Sequence, residues 1–538
     1  MKRLILTLAC VATWATGARA QIDGVVLDSL QYTAFRYFWD EANPSNGLIR
    51  DRSTSGSPCS IASTGFGLSA ICIAADHGWV TRDAARTRVL TTLQTFWNGP
   101  QGSATSGVIG YKGLYYHFLD MNTALRFMPS TWDPELSTID TALLFAGMLD
   151  AREYFNGVHP NEVLIRALAD SIYRRADWDF MRNSTPGIGM GWKPSTGFQN
   201  FGKWTGYNEA MILYVLAIGS PTHPVPGTDW NVWTSNYNWS SPFPLQLPAY
   251  ATFAPLFGHQ YSHCWIDFRY TQDAYMRGKG STYFQNSRLA TLAQIEYARI
   301  NGLIHSRDES DSLWGFTASD GPVYSGHFGY DAHGAPNGFD DGTITPTAPI
   351  SSLPFAADSV WPCIRNLYTN YRVAPLWGKY GFTDAFNPVS HPWVDTDWLG
   401  IDQGPIVMMI ENYRTGAVWP RFMGNADVQR GMLLAGFQSF PAGVGEPVVH
   451  AGANALFDAQ PTPFHGSTTI RFRLAQPGRV RLEVFDLLGR KVATLVDEPR
   501  AAGEHSATLD GTPLAAGIYH VRLDVNGERL MKKAVLLQ

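Results

Sequence analysis

Charge is scarce in this chain, and basic clusters are missing altogether. Only 16% of its 538 residues are Asp, Glu, Lys or Arg, and the formal net charge is −5. Without a run of Lys and Arg there is no electrostatic footprint for nucleic acid or for an anionic membrane surface. Cysteine is equally sparse, with five residues whose spacings fit no zinc-ligand pattern. Four of them, Cys59, Cys72, Cys264 and Cys363, follow the first twenty residues and permit one or two disulfides in an oxidising compartment. Cys72, in a run of small apolar residues, reads instead as buried and free. No apolar stretch is long enough to span a bilayer.

What the chain has in quantity is aromatic surface: 13% Phe, Trp and Tyr, including 18 Trp and 23 Tyr. Flat rings stack on the apolar faces of sugars, although they also fill large cores. The N-terminus points to export. Lys2 and Arg3 precede a short apolar stretch from Leu4 to Ala15, and Ala18-Arg19-Ala20 forms an A-x-A cleavage site before Gln21. Cys10 faintly resembles a lipoprotein site, but the run before it is too short. These features predict a product secreted or held at the cell surface after cleavage near Ala20.

Composition changes near residue 440. Upstream, helical periods alternate with long Gly, Pro and aromatic loops. Leu30, Ala34, Tyr37 and Phe38 mark one apolar stripe; Val89, Leu93, Phe96 and Trp97 mark another that begins after Thr81, a natural N-cap. Further helices are expected near 64–77, 139–156, 161–180, 207–219, 283–301, 354–371, 404–415 and 423–435, with room for two more between 245 and 280. About twelve helices joined by long loops suggest a toroid of helical hairpins with a cleft at one end. Downstream of a Pro/Gly/Ala-rich linker at 441–457, short strands recur every ten residues or so: Thr469 to Leu474, Arg479 to Phe485, Lys491 to Val496, Glu504 to Leu509 and Gly517 to Val525. Turns fall at Gln476-Pro477-Gly478 and Asn526-Gly527. That is the pattern of a β-sandwich. The tail from 459 carries 11 basic and 8 acidic residues, while the body between leader and tail stands at −11. The expected organisation is a leader at 1–20, a helical domain at 21–440, the linker, and a sandwich at 458–538.

Cleaving a glycosidic bond requires two carboxyl groups, one protonated to release the leaving group and one ionised to activate water or attack directly. Glu209 lies where the aromatic loop Phe201-Gly202-Lys203-Trp204-Thr205-Gly206-Tyr207-Asn208 meets the apolar Met211-Ile212-Leu213. Desolvation there would raise its pKa, as a general acid requires. The same position also suits an ordinary first-turn Glu favoured by the helix dipole. Asp402, in Gly400-Ile401-Asp402-Gln403-Gly404-Pro405, fits either a cleft or a plain helix N-terminus. Asp140 enters an apolar helix where Ser137 or Thr138 would cap better, so it needs a partner or water. His259 and His263 are four apart like a metal pair, but no Glu joins them and the segment lacks a helical period, so substrate hydrogen bonding fits better than metal. Trp192, Lys193, Trp204, Trp314 and Trp398 are candidates for stacking or subsite contacts, or for core packing.

In order along the chain, FRYFWDEANPSNGLIRDRS at 35–53, STIDTALLFAGML at 137–149, GWKPSTGFQNFGKWTGYNEAMILYVLAIGSPTHPV at 191–225, HQYSHCWIDFR at 259–269, WGFTASDGP at 314–322, GKYGFTDAFNP at 378–388 and GIDQGPIVMMIENYRTG at 400–416 resemble the glycoamylase-like domain of bacterial β-1,2-glucan-active enzymes, including glycoside hydrolase family 144. The resemblance spans roughly 25 to 440. It implies a mainly α fold, an (α/α)6 toroid, with Glu209 as the acid and Asp402 and Asp140 as essential acidic positions. Substrate contacts are expected at Trp192, Lys193, Trp204, Tyr207, Asn208, His259, Gln260, Tyr261, Trp314 and Gln403. The tail, through Asn454-Ala455-Leu456-Phe457, Val484 to Arg490, Leu514 to Tyr519 and Met531 to Leu537, resembles the immunoglobulin-like sorting domain of type IX secretion. Its partner would be the secretion machinery.

The sequence thus reads as a secreted glycoside hydrolase acting on a poly- or oligosaccharide, an inverting endo-β-1,2-glucanase that needs neither metal nor organic cofactor. One rival is a polysaccharide lyase on the same toroid, in which Tyr261, His259 or His263 would take the proton; few basic residues stand near the motifs to neutralise a uronate. The other is a noncatalytic surface glycan-binding protein.

Overall fold

Helices that are apolar on every side build the inner wall of the first unit. Ile61–Asp76, Thr138–Tyr154, Met211–Gly219 and Gly400–Arg414 are buried along most of their length. That is possible only when other elements cover all their faces. Ile61–Asp76 packs against both Thr138–Tyr154 and Gly400–Arg414, and Thr138–Tyr154 packs in turn against Met211–Gly219. Helices with a single apolar stripe stand outside them. Pro160–Arg175, for example, buries Ile165, Leu168, Ala169, Ile172 and Tyr173 and leaves its other face to solvent. The result is an (α/α)6 toroid.

In this computed structural model the described residues are 23–439 and 454–537, apart from 131, 243–244, 246, 302–311, 325–328, 390, 458, 460–463, 475, 487–489, 502 and 526–527. The expected leader with Ala18-Arg19-Ala20 and Cys10, most of the 441–457 linker, the Asn526-Gly527 turn and Leu487-Leu488-Gly489 lie outside them. The described residues fall into two compact units, one within Val25–Pro441 and one within Ala442–Gln538. Among them, no helix is long and apolar enough to cross a membrane.

Two inner helices cross at glycine. A Cβ on Gly147 would lie 1.9 Å from the Gly65 carbonyl oxygen, and one on Gly65 would lie 2.3 Å from that of Leu143. Only glycine lets the backbones of Ile61–Asp76 and Thr138–Tyr154 approach this closely.

Local signals place most elements where the sequence predicts them. Thr81 caps Arg82–Asn98 by accepting from the Ala84 N–H, and Leu30, Ala34, Tyr37 and Phe38 are all buried. Three expectations change. Trp97 is exposed, with the Arg175 guanidinium 5.0 Å from its ring centre. Between 245 and 280 there are not two full helices but two 3-10 turns, Leu256–His259 and Tyr261–Cys264, and the short helix Ala274–Lys279. The helix expected from 207 starts at Met211, because Gly206 takes a φ of +77° and the Asn208 side chain captures the Ala210 N–H at 2.9 Å. All four described cysteines are free and buried.

In the second unit, Ala455–Leu456, Ser467–Leu474 and Gly503–Asp510 form one antiparallel sheet. Lys491–Arg500, Gly478–Phe485, Gly517–Val525 and Glu528–Leu536 form another, in that order. Ile470 and Phe472 from the first share a core with Leu482, Val484, Val521 and Leu523 from the second. This is a small β-sandwich, with inward residues alternating with outward ones along Ser467–Leu474.

Candidate active site

The three proposed acids share a structural address: each stands at the amino end of an inner helix. Asp140 is in the first turn of Thr138–Tyr154, Asp402 in the first turn of Gly400–Arg414, and Glu209 in the turn just before Met211–Gly219. The shortened helix matters for Glu209. It directly precedes the helix and is not part of its first turn. Its backbone carbonyl accepts from Ser262 Oγ at 3.0 Å, tying this turn to the Tyr261–Cys264 turn. Burial lifts its carboxyl from 4.5 to about 7, and the charge of Asp140 pushes the same way. A carboxyl of that kind holds its proton near neutrality.

Two short pairings build the wall beside Asp140. Cys59–Ser60 pairs with Phe118–Leu119, and Leu136–Ser137 pairs with Gly191–Trp192. They bring His117 between two acids: Nδ1 is 2.9 Å from Glu135 Oε1, and Nε2 is 3.5 Å from Asp140 Oδ1. Burial works against a charge on His117, but Asp140 and Glu135 outweigh it and raise its pKa from 6.5 to about 9. At neutral pH it is an imidazolium.

A second cluster, at the end of Gly400–Arg414, is rich in acid. Asp402 and Asp384 are almost fully buried, and each lies within the electrostatic reach of the other. Asp384 Oδ2 accepts the Asp320 N–H at 2.7 Å, and Asp320 pairs with Arg52 at 2.7 Å. Burial raises both members of the Asp384–Asp402 pair, Asp384 further because Asp402, Asp320 and Asp395 all face it. Asp395 is raised to about 7 by burial and by Asp320. Tyr261 joins the two regions. Its hydroxyl is buried and feels the charges of both Asp402 and Glu209, and its ring sits edge-on to Phe66 at 5.4 Å.

Donor atoms converge within 4.8 Å in two groups, His117–Glu135–Asp140 and Asp320–Asp384–Asp395. The first is already an ion-pair chain. In the second, Asp384 accepts the Asp320 N–H, Asp320 pairs with Arg52, and Asp395 accepts the N–H groups of Thr396 and Asp397. Carboxylate clustering is not by itself a metal site, and the chemistry these groups support is proton transfer.

The remaining expected contacts divide. Trp192 and Trp204 are half-buried, Trp192 stacked near Tyr111 at 5.0 Å and Trp204 donating from Nε1 to Thr138 Oγ1 at 3.0 Å. Lys193 Nζ lies 3.3 Å from Asp133. Gln403 is buried beside Asp402, with Nε2 3.4 Å from the Phe382 carbonyl oxygen and Oε1 lacking a donor among the described residues. Trp398 donates to the Gly381 carbonyl. Others face the scaffold. Asn208 accepts from Trp233 Nε1 at 3.1 Å, and Tyr207 is buried among Trp233, Tyr237, His259 and Tyr283. Direct contact with a sugar gives way to a core role at three positions. Trp314 is fully buried, Gln260 spends Nε2 on Ala348 and Ser352, and His259 sits within 3.2 Å of the Phe253 carbonyl. Burial holds His259 and His263 neutral, at about 3. His117, Asp320, Asp384 and Asp395 are the residues that sequence reasoning did not single out. Asp320 and Asp384 do stand in the TASDG and FTDAF segments, as acids among small and apolar neighbours.

Comparison with known proteins bears on this arrangement. The family model described as "Putative glucoamylase" matches residues 202–426, and that of the "Secretion system C-terminal sorting domain" matches 459–537. A solved structure titled "putative glucoamylase", from Bacteroides uniformis, is 33% identical with a TM-score of 0.69, over 77% of this chain and 97% of that one. An endo-β-1,2-glucanase from Chitinophaga pinensis, solved with sophorotriose and glucose, is 28% identical with a TM-score of 0.68, over 77% of this chain and 98% of that one. The exo-β-1,2-glucooligosaccharide sophorohydrolase (non-reducing end) of Parabacteroides distasonis is 29% identical over 440 residues. That match covers 76% of this chain, which spans 57% of the curated relative's length.

Proposed function

The chain belongs to the glycoamylase-like family, and from that premise we propose that its toroid is a glycoside hydrolase cutting β-1,2-linked glucan by acid–base displacement. The observation that carries this reading is the pairing of Glu209 and Asp402 across Tyr261. Asp402 is buried and Glu209 half-buried, each has a raised pKa and stands on a separate inner helix end, and Tyr261 feels the charge of both. The relatives that act on β-1,2-glucans supply the substrate class.

In this mechanism Glu209 gives its proton to the glycosidic oxygen as the C–O bond breaks. Asp402 takes a proton from water as that water's oxygen bonds to the anomeric carbon. The products are two shorter chains, and the proton gained by Asp402 returns to Glu209 through solvent. Asp140, with His117 beside it, sets the field around Glu209. Trp192, Lys193, Trp204 and Gln403 contribute substrate contacts. Cutting within the chain is the expected mode. The sandwich serves export, in keeping with its match to sorting domains.

A lyase reading loses support at each of its candidate bases: burial holds His259 and His263 at about 3, so they resist taking a proton, and burial raises the Tyr261 phenol so that it is not ionised. The test is incubation of purified protein with a panel of glucans, followed by product chromatography. The expected result is reducing-end oligosaccharides of several lengths from β-1,2-glucan, without ultraviolet absorbance. Sophorose as sole product would replace endo with exo action. Unsaturated products would mean a lyase, and binding without cleavage would mean a glycan-binding protein.

A further inference from the structure

We propose that Trp132 is the stacking platform of a glucosyl-binding subsite continuous with the His117–Asp140 wall, with Asp133 and Lys193 at its polar edge. This rests on the reading of the toroid as a β-1,2-glucan hydrolase. It adds to that reading a place that grips the chain and takes no part in proton transfer.

A lone exposed aromatic needs no explanation on a protein surface. Trp132 is 43% exposed, but it is neither isolated nor loose. Its ring meets Phe118 at 5.2 Å and 74°, and Phe127 at 5.5 Å and 82°. Both contacts are steep, and among the described residues no ring lies parallel over the indole. The loop that carries it is clasped from below. The Trp132 N–H bonds to the Pro129 carbonyl at 3.0 Å, and the Phe127 N–H to that of Phe118 at 3.0 Å. Arg126, buried at 4% exposure, donates from Nε to the Pro134 carbonyl at 2.9 Å and from Nη1 to that of Thr105 at 2.8 Å. Its Nη2 holds Asp133 Oδ1 at 2.6 Å, and its guanidinium lies 4.4 Å from the Tyr116 ring centre. A buried guanidinium with its donors committed to one loop fixes that loop before a ligand arrives, so little order has to be created on binding.

The platform leads into the candidate active site. Phe118, on which Trp132 leans, stacks on the His117 ring at 3.9 Å and 13°. His117 in turn lies 2.9 Å from Glu135 and 3.5 Å from Asp140, whose charge is felt at Glu209. The pairing of Leu136–Ser137 with Gly191–Trp192 brings the following residue, Lys193, to 3.3 Å from Asp133 Oδ2. Both of those charged side chains are partly exposed next to the indole. A pyranose is apolar on its C–H face and polar around its rim. A fixed indole flanked by a carboxylate and an ammonium offers a surface for each. The charges also select a neutral sugar over an anionic one. Each cation of this wall is already matched by an acid, His117 by Glu135, Lys193 and Arg126 by Asp133, so nothing is left to neutralise a uronate or a phosphate.

The experiment uses the full chain carrying Glu209→Gln, in which turnover is suppressed, with β-1,2-glucan as the probe. Hydroxyl-radical footprinting read by mass spectrometry should show Trp132 oxidised in the free protein and protected by saturating glucan. Adding Trp132→Ala should weaken the calorimetric Kd by about tenfold, and Trp132→Tyr, which keeps a flat ring, should recover most of that loss. In the otherwise unaltered chain, Trp132→Ala should raise KM by about the same factor and leave kcat within about twofold, because grip shared by ground and transition states acts on KM. An unprotected Trp132, an unchanged Kd in Trp132→Ala, or equal loss in the Ala and Tyr variants would overturn the proposal. So would a fall in kcat at constant KM, which would mean that the loop serves only to hold His117. If the wild type cuts no glucan while Trp132 is still protected, the hydrolase reading fails and the subsite stands. If glucan is cut and Trp132 stays unprotected, the subsite fails and the hydrolase reading stands.

Discussion

Ser137 and Asp140 hold each other at the mouth of the toroid. The serine hydroxyl accepts the Asp140 N–H at 3.3 Å as the helix N-cap, and it donates to Asp140 Oδ2 at 2.5 Å. The arrangement is a variant of the reciprocal N-terminal box, with the acid reaching back to the cap's side chain and not to its backbone N–H. It explains how an aspartate tolerates an apolar helix: one oxygen is fixed by Ser137 and the other faces His117. Ser137→Ala should therefore cost about 1 kcal/mol of stability, the usual worth of a cap, seen as a lower thermal midpoint. Asp140→Asn should fold but lose turnover by about 100-fold, since its charge supports both His117 and the proton of Glu209. Near-normal turnover in Asp140→Asn would reduce this residue to a capping partner.

Glu209→Gln and Asp402→Asn preserve shape while removing a transferable proton. Each should lower kcat by about 100-fold or more with little change in KM. Because burial lifts Glu209 to about 7, activity should fall as pH rises through neutrality and the acid loses its proton. The acid limb belongs to the Asp384–Asp402 pair. Should Glu209→Gln retain its rate, the acid assignment fails, and Glu135 could take its place only once freed from His117, which holds its carboxyl below the usual range. Asp267 does not qualify, because Arg269 grips both its oxygens at 2.8 Å.

His117 gives a pH signature of stability. Its pKa rises from 6.5 to about 9 on folding, so its contribution is fully present below about 6.5 and disappears as pH climbs through about 9. Thermal midpoints measured across that window should fall for the wild type and change less for His117→Gln. Parallel curves for the two proteins would show that the imidazolium contributes nothing to folding.

Much of this organisation is legible in the sequence because it rests on local chemistry. Thr81 as a cap, the Leu30–Phe38 stripe and the alternating strands of the sandwich all follow from period and residue type. Glu209 and Asp402 are detectable because each interrupts apolar sequence at a helix end. What is not legible is pairing over distance. Asp384 comes within electrostatic reach of Asp402, and His117 meets Asp140, through loops whose course depends on two-residue strands. The burial of Trp314, Gln260 and His259 escapes for the same reason, since an aromatic or amide beside a cleft looks alike in sequence whether it faces in or out. The 245–280 segment misleads because its backbone bonds close at three residues and not four.

Division of labour between the two units can be tested by truncation. A chain ending near residue 445 should fold and keep its activity, since the core of the sandwich is drawn from its own strands. In a host with the export machinery it should fail to reach the medium or surface, whereas the full chain should arrive with an N-terminus at or near Gln21. Failure of the shortened chain to fold would make the sandwich part of the catalytic unit. A mature protein that starts at a lipid-modified Cys10 would replace the cleavage site.

The stereochemical outcome connects the fold to the reaction. Retaining enzymes hold their carboxyls about 5–5.5 Å apart so that one attacks the anomeric carbon, whereas inverting enzymes leave about 6.5–9.5 Å for water. Glu209 and Asp402 stand on different inner helix ends, and the buried Tyr261 feels both. Asp402 is buried and faces the charges of Asp320 and Asp51, which raise its affinity for a proton, as suits a base more than a nucleophile that must form and break a covalent ester. Inversion is therefore expected. Hydrolysis of a β-1,2-glucan followed by NMR should show the α-anomer at new reducing ends first, before mutarotation mixes the signals. An initial β-anomer would reject inversion and recast Asp402 as the nucleophile. Cleavage of another glucan with β-1,2-glucan untouched would keep the hydrolase chemistry and change its substrate.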